Sequence, residues 1–226
     1  MKVTALIPVK GFRNAKQRLS SLLGAAEREL LAETMARDVL RQVVLARGLA
    51  GTFVVTGNDG VAEMAQSVGA GVIREQAESG ETDAVDFARA ELRKAGREAI
   101  LILPGDMPLV RSADIEQLLA QVPAEASAPF ALLAPSHDRL GTNALLLAPP
   151  DIVKLRFGHD SFSFHTSQVV AQGLALRIFE NERIALDIDE PSDLVRFLSF
   201  DDAGESSRVA RSMLAQHEAQ LTRRSG

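Results

Sequence analysis

There is no cysteine in this 226-residue chain, which excludes disulfides, thiolate catalysis and a cysteine-ligated zinc site. Tryptophan and tyrosine are also absent, and aromatic residues make up only 4% of the sequence. Stacking platforms for single-stranded nucleic acid are therefore scarce. Positive charge is in deficit too: 25 Lys and Arg against 30 Asp and Glu leave a formal net charge of −5. That balance argues against a nucleic-acid-binding surface while leaving room for a local basic pocket. The four histidines, His137, His159, His165 and His217, lack metal-ligand spacing. No apolar run approaches the ~20 residues of a membrane span, and Val3–Val9 is too short for a signal-peptide core. The expectation is a soluble, cytoplasmic protein that binds neither membrane nor nucleic acid, and the lack of cysteine agrees with that compartment.

The 46% hydrophobic and 24% charged content is ordinary for a packed globular domain. Periodicity predicts strands at Val3–Val9, Thr52–Thr56, Gly71–Arg74 and Ala99–Leu103, alternating with helices over Ala26–Ala46, from the turn Gly57-Asn58-Asp59-Gly60 through Val68, and over Asp83–Lys94. Leu30, Leu31, Thr34, Met35, Val39 and Val43 mark the apolar face of the first helix. Ser112 or Asp114 could cap a further helix. Phe130–Ala134, Asn143–Leu147 and Leu176–Phe179 read as strands, with helices over Ser161–Gln172 and Ser192–Phe200. The fold class is α/β: βαβ units build a parallel sheet, and the second half adds a mixed edge. One domain over residues 1–200 is expected. Residues 201–226, polar and carrying Arg208, Arg211, Arg223 and Arg224, read as a mobile C-terminal helix or tail, or else as an oligomer contact such as a homodimer.

The most informative stretch is Ile100-Leu101-Ile102-Leu103-Pro104-Gly105-Asp106-Met107-Pro108-Leu109. An apolar run delivers Asp106 to the carboxyl end of a strand, where open α/β sheets bind ligands; the plain alternative is a turn acid. Pro8-Val9-Lys10 and Ala15-Lys16-Gln17-Arg18-Leu19 follow the first strand. Lys10, Lys16 and Arg18 could wrap a triphosphate, or form a solvated basic loop. The loop is neither a Walker loop nor a dinucleotide fingerprint, because Gly11 is its only glycine. Asp187 and Asp189, two apart, would share one face of an extended segment. With Asp106 they could hold Mg²⁺, a hard cation that prefers oxygen ligands; alternatively one of them caps the helix near Ser192.

Taken in order, Pro-Val-Lys, Ala-Lys-x-Arg-Leu, Gly-Asp-Met-Pro-Leu, Gly-Thr-Asn, Phe-Gly-x-x-Ser-Phe-x-x-His and Leu-Asp-Ile-Asp-Glu-Pro-x-Asp-Leu resemble the 2-phospho-L-lactate or phosphoenolpyruvate guanylyltransferases of coenzyme F420 biosynthesis. The resemblance runs from about Lys2 to Phe200. It implies a three-layer α/β/α fold like that of nucleotide-diphospho-sugar transferases, with a mixed, mostly parallel sheet. It also implies attack of a phosphorylated three-carbon acid on GTP, with release of pyrophosphate. By that resemblance Thr142, Gly158 and Ser161 bind the acid. Pro8, Gly80 and Asp106 belong to the nucleotide site, and Asp106, Asp187 and Asp189 to Mg²⁺. Ser161 also reads as a helix N-cap, and that helix start would attract an anion. His165, four residues on, would share its face, either as a site residue or as a satisfied polar one. The anhydride product would be labile, which suggests hand-over to a downstream transferase.

One segment departs from the pattern. Ser79-Gly80-Glu81-Thr82-Asp83-Ala84 stands where a Gly-Leu-Asn element is common, so Gly80 is kept among added acids. Acids beside a polyanionic substrate are unfavourable unless they meet a metal or a hydroxyl. A hydroxylated acceptor such as 3-phospho-D-glycerate therefore joins phosphoenolpyruvate and 2-phospho-L-lactate as a candidate. Two further readings are a same-fold nucleotidyltransferase for molybdopterin or a sugar phosphate, and a non-catalytic nucleotide-binding homologue. The first calls for a glycine-rich loop with an Arg-Met-Gly element, which Lys10–Leu19 lacks. The second sits poorly with two acidic clusters and a basic loop in one chain.

Overall fold

Alternating apolar residues in the strands build a sheet with two buried faces. In the computed structural model, which describes residues 1–75, 80–123 and 129–224, Val3, Ala5 and Ile7 of β1 (Val3–Pro8) pack into one hydrophobic cluster and Leu6 into another. Strand β4 (Ala99–Ile102) divides likewise, with Ala99 and Leu101 on one side and Ile100 and Ile102 on the other. Strands buried on both faces are the mark of a sheet sandwiched between helices.

Strand β2 (Leu49–Thr56) lies beside β1 with β3 (Gly71–Arg74) beyond it, and β5 (Phe130–Pro135) belongs to the other half of the sheet. With β6 (Thr142–Ala148) and β7 (Ala175–Ile178) the order is β3-β2-β1-β4-β6-β5-β7. Neighbours pair in parallel except at β6, which runs antiparallel to both β4 and β5. Helices α1 (Ala25–Leu45), α2 (Asp59–Ser67) and α4 (Ser112–Leu119) supply side chains to the first cluster. Helices α3 (Glu81–Lys94) and α5 (Ser161–Ala171) cover the other face. This is a three-layer α/β/α arrangement with a mixed, mostly parallel sheet.

A third cluster joins Leu31 and Met35 of α1 to Leu194 and Phe197 of α6 (Pro191–Ser199) and to Ala210 and Met213 of α7 (Glu205–Arg224). The polar C-terminal stretch is thus helical and packs on α1, where His217 Nε2 lies 2.8 Å from Glu27 Oε1. Leu30 is an exception to the expected apolar face: it is 50% exposed while Leu31 is fully buried. The stripe is narrower than the sequence suggests because adjacent helical residues diverge by about 100°. No described helix is long and apolar enough to cross a membrane.

Candidate active site

The strand order reverses between β2 and β4 on either side of β1, and at such a point the carboxyl ends of the strands diverge to leave a crevice. Here β1 delivers Pro8, Val9 and Lys10, while β4 delivers Pro104, Gly105 and Asp106. Together with Val55, Glu75, Glu81 and Ala84 they line a cavity of about 180 Å³. Asp106, Glu81 and Pro104 also border a larger cleft of about 470 Å³ that includes Arg18, Thr142, Asn143, Gly158, Ser161, Asp187 and Asp189. Asp106 therefore stands where the two compartments meet.

Lys16 closes the base of this junction. Its Nζ lies 2.6 Å from Asp106 Oδ2 and 2.8 Å from Asp189 Oδ1, and its side chain is only 10% exposed. Burial alone would lower the ammonium pKa, but the charges and hydrogen bonds of the two carboxylates outweigh it and raise the value above the usual lysine range. The residue is delivered by a left-handed backbone, φ 51° and ψ 45°, immediately before a short 3₁₀ helix over Gln17–Ser21 that the sequence pattern did not reveal. A non-glycine residue held there is uncommon and costs free energy that the surroundings must offset. Arg18 is exposed at the rim, 3.4 Å from Glu190 Oε1. Lys10 lies in the smaller compartment.

The acidic pair comes from residues 184–189, which form no regular element but alternate strictly. Ile184, Leu186 and Ile188 are buried, while Asp187 and Asp189 are partly exposed toward the cleft. The Ile188 N–H donates to the Asp106 carbonyl at 3.1 Å, joining the two acidic segments directly. Neither acid caps α6. That task falls to Asp193, whose carboxylate accepts from the backbone N–H groups of Asp189 and Glu190. Pro191 as first helical residue, with an acid two positions later, is a legible signature of this cap.

Burial, then the charge of Asp106, pushes the Asp187 carboxyl up to about 6, against a hydrogen bond from Asn143 that favours ionisation. Lys16 and Arg18 more than offset burial at Asp189 and hold its carboxyl below the usual range. An acid whose folded pKa is raised withdraws stability as pH rises, here from about 4 to beyond 6. Asp187→Asn should therefore flatten the fall of Tm over pH 4–7 and raise Tm at pH 8 by a few degrees. Thermal melts of both proteins across that range check it; parallel curves would remove Asp187 as the cause.

Glu81, legible in the sequence only as part of an unusual loop, is the first residue of α3 and lines both compartments. It is solvent-accessible, yet the cleft crowds it. Desolvation, followed by the charges of Asp106 and Asp189, pushes its carboxyl up to about 7, with Lys10 and Lys16 opposing. Gly80 stands beside it as the N-cap of α3. Ser79 lies outside the described residues.

Across the cleft, β6 carries a change of register. Ala134 opposes Ala144, but Pro135 opposes Thr142, so one extra residue is accommodated on β6. Such a bulge re-aims side chains. Thr142 consequently turns toward α5, its Oγ1 3.0 Å from His165 Nδ1. Asn143 turns the other way and donates to the Ile184 carbonyl at 2.9 Å and to Asp187 Oδ1 at 3.0 Å. Asn143 was visible in the Gly-Thr-Asn motif, but only the bulge shows what it does. Ser161 is the first residue of α5 rather than its cap; Asp160, with φ 59°, occupies the capping position. Gly158 adopts φ 93°, a conformation that favours glycine although a Cβ there would meet nothing within 4 Å.

The acidic segment is anchored from behind. Asp114, 1% exposed, accepts from Asn181 Nδ2 and Arg183 Nη1 at 3.0 Å each and from the Arg111 backbone N–H at 2.9 Å. It is thus Asp114, inside α4, that satisfies the helix start, and Ser112 is already helical. Asp114→Ala should cost about 2 kcal/mol, as expected when a buried acceptor is removed and its donors lose their partner. Urea unfolding reads the loss, and an unchanged midpoint would count against the anchor.

The three acids share the cleft, but among the described residues no three Asp, Glu or His side chains converge to hold a metal ion by themselves. Asp106 Oδ1 is buried without a hydrogen-bond partner among those residues. An orphaned carboxylate oxygen, beside a second carboxylate already neutralised by an ammonium, fits a site that accepts a hard cation with substrate oxygens completing its shell.

The chain is similar to the phosphoenolpyruvate guanylyltransferase of Conexibacter woesei, with 37% identity over 194 residues spanning 86% of each chain. It is 34% identical over 198 residues to the 2-phospho-L-lactate guanylyltransferase of Methanothermobacter thermautotrophicus, covering 86% of this chain and 83% of that one. Its fold matches the crystal structure of a putative nucleotide-diphospho-sugar transferase from Desulfovibrio desulfuricans, with TM-score 0.74 at 16% identity over 96% of this chain and 98% of the other. The family model described as "Guanylyl transferase CofC like" matches residues 3–222, and the chain belongs to that family.

Proposed function

We propose that the protein transfers GMP from GTP to a phosphorylated three-carbon acid, releasing pyrophosphate, as a step of coenzyme F420 biosynthesis. The observation that carries this reading is the buried Lys16 ammonium held between Asp106 and Asp189 where the two compartments meet. That junction of opposite charges is suited to a polyphosphate and its cation. The relatives named for phosphoenolpyruvate and 2-phospho-L-lactate guanylyl transfer support the donor and the acceptor class.

In this reading the smaller compartment, with apolar walls from Pro8, Val9, Val55 and Ala84, receives the nucleoside. Thr142, Gly158 and Ser161 receive the acid in the larger one. An acceptor phosphate oxygen forms the new bond to the α-phosphorus as the bond to the bridging oxygen of pyrophosphate breaks. That oxygen is already anionic at neutral pH, so no strong base is needed. The protein's contribution is alignment and relief of repulsion between two polyanions. Asp106 and Asp189, with Asp187 beside them, are the residues that would hold Mg²⁺, which supplies charge neutralisation at the phosphates. Lys16, released from those carboxylates, would then face the triphosphate together with Lys10 and Arg18.

Glu81 favours a hydroxylated acceptor. With its pKa near neutrality it can share a hydrogen bond with a hydroxyl, whereas a phosphoenolpyruvate methylene offers it no partner. The test is pyrophosphate release from GTP and Mg²⁺ with phosphoenolpyruvate, 2-phospho-L-lactate and 3-phospho-D-glycerate in separate reactions. Release that depends on one acid establishes the reaction and names the acceptor. GTP binding without release for any of them would overturn the proposal.

A further inference from the structure

The mechanism above leaves one fully buried polar contact unused. His165 is 0% exposed in the middle of α5 and is bonded through both ring nitrogens. Nδ1 faces Thr142 Oγ1 at 3.0 Å, and Nε2 accepts the backbone N–H of Arg156 at 3.2 Å. A backbone N–H can only donate, so Nε2 must present its lone pair. A neutral imidazole then carries its proton on Nδ1, and Nδ1–H donates to the Thr142 hydroxyl oxygen. Burial, reinforced by Arg156 and Arg89, holds the ring pKa at about 4 and keeps it neutral at physiological pH. Phe157 and Phe164 pack edge-on against it at 5.4 and 5.7 Å between ring centres, fixing its plane.

We propose that His165 is a positioning residue that sets the polarity of Thr142, leaving its hydroxyl proton to point into the cleft as a donor for an anionic substrate oxygen. A hydroxyl has one proton and two acceptor lone pairs. His165 occupies a lone pair, and Thr142 Oγ1 makes no second hydrogen bond among the described residues. Thr142 lines the larger compartment, so its proton has only the ligand to serve. A carboxylate or phosphate oxygen accepts it, whereas an ammonium has no lone pair to receive it. The same imidazole holds the Arg156 N–H two residues before Gly158, and it lies four residues beyond Ser161 on α5. One ring thus ties together the three segments assigned to the acid, an assignment that rests on the function proposed above.

The test has two arms. In histidine-¹⁵N NMR of the unmutated protein, His165 should be a neutral Nδ1–H tautomer that does not titrate between pH 5.5 and 8. An Nε2–H tautomer, or titration in that window, overturns the proposal whatever any variant does. In kinetics, His165→Phe should raise KM for the acid about tenfold, the scale of one charge-assisted hydrogen bond, and leave KM for GTP unchanged. His165→Asn, which can keep an N–H near the Nδ1 position, should restore most of the affinity. In a Thr142→Val background His165→Phe should add little, because the two act as one unit. Equal effects on both substrates, or full additivity with Thr142→Val, would show a merely structural role and overturn the proposal. An Nδ1–H tautomer with no turnover on any acid would instead count against guanylyl transfer and leave the proton assignment standing.

Discussion

Replacing Lys16 with alanine should lower guanylyl transfer by about three orders of magnitude, comparable with the loss of one preorganised donor at a developing charge. Arg18 does not take its place, because it is exposed at the rim whereas Lys16 is buried and reaches both Asp106 and Asp189. Removing it also leaves two carboxylates facing each other without their cation, so the free protein should lose stability by about 1–3 kcal/mol. Added Mg²⁺ should recover part of that loss, since any ion that binds the folded state alone stabilises it. Steady-state kinetics and melts with and without Mg²⁺ separate the two consequences. Turnover near that of the unmutated protein would remove Lys16 from the machinery.

Asp106→Asn is expected to be as severe, with turnover down by about 10²–10⁴-fold. The amide keeps the shape but cannot supply an anionic oxygen where Oδ1 now lies buried and unpartnered. Lys16 would retain Asp189, so the fold should survive. The informative contrast is with Ser161→Ala, which should raise KM for the acid more than it lowers kcat. If Asp106→Asn changed only the KM of the acid, Asp106 would belong to acceptor recognition and the division of the cleft would have to be redrawn.

The architecture was legible because both hydrophobic periods are strongly written. Apolar runs such as Ile100–Leu103 and the amphipathic stretch of α1 placed their elements within a residue or two of the observed ends, whereas β2 begins at Leu49, three residues before the expected Thr52. Most of the motif residues line two adjoining compartments, Pro8 and Lys10 the smaller, Arg18, Thr142, Gly158, Ser161, Asp187 and Asp189 the larger, with Asp106 in both. What escaped was local backbone chemistry. The left-handed turns at Lys16 and Asp160 have no sequence signature comparable to Asn-Gly or Gly, so neither the 3₁₀ helix nor the true cap of α5 was apparent. The antiparallel course of β6 was readable only as a mixed edge, because direction depends on long-range pairing with β4 and β5. Likewise, nothing in the composition of Glu81 indicates that its carboxyl is held near neutrality; that follows from where α3 begins relative to Asp106 and Asp189.

The extra residue in β6 carries a consequence for how this family can change its length. Side chains alternate along a strand, so deleting Asn143, the one residue between Thr142 and Ala144, would turn Thr142 by half a turn into the vacated position. The hydroxyl would then face Asp187, and the His165 imidazole would lose its partner. The larger compartment would lose its chemistry while the sheet behind it stayed paired. The spacing from the β5–β6 hairpin to Ala144 is therefore a fixed ruler.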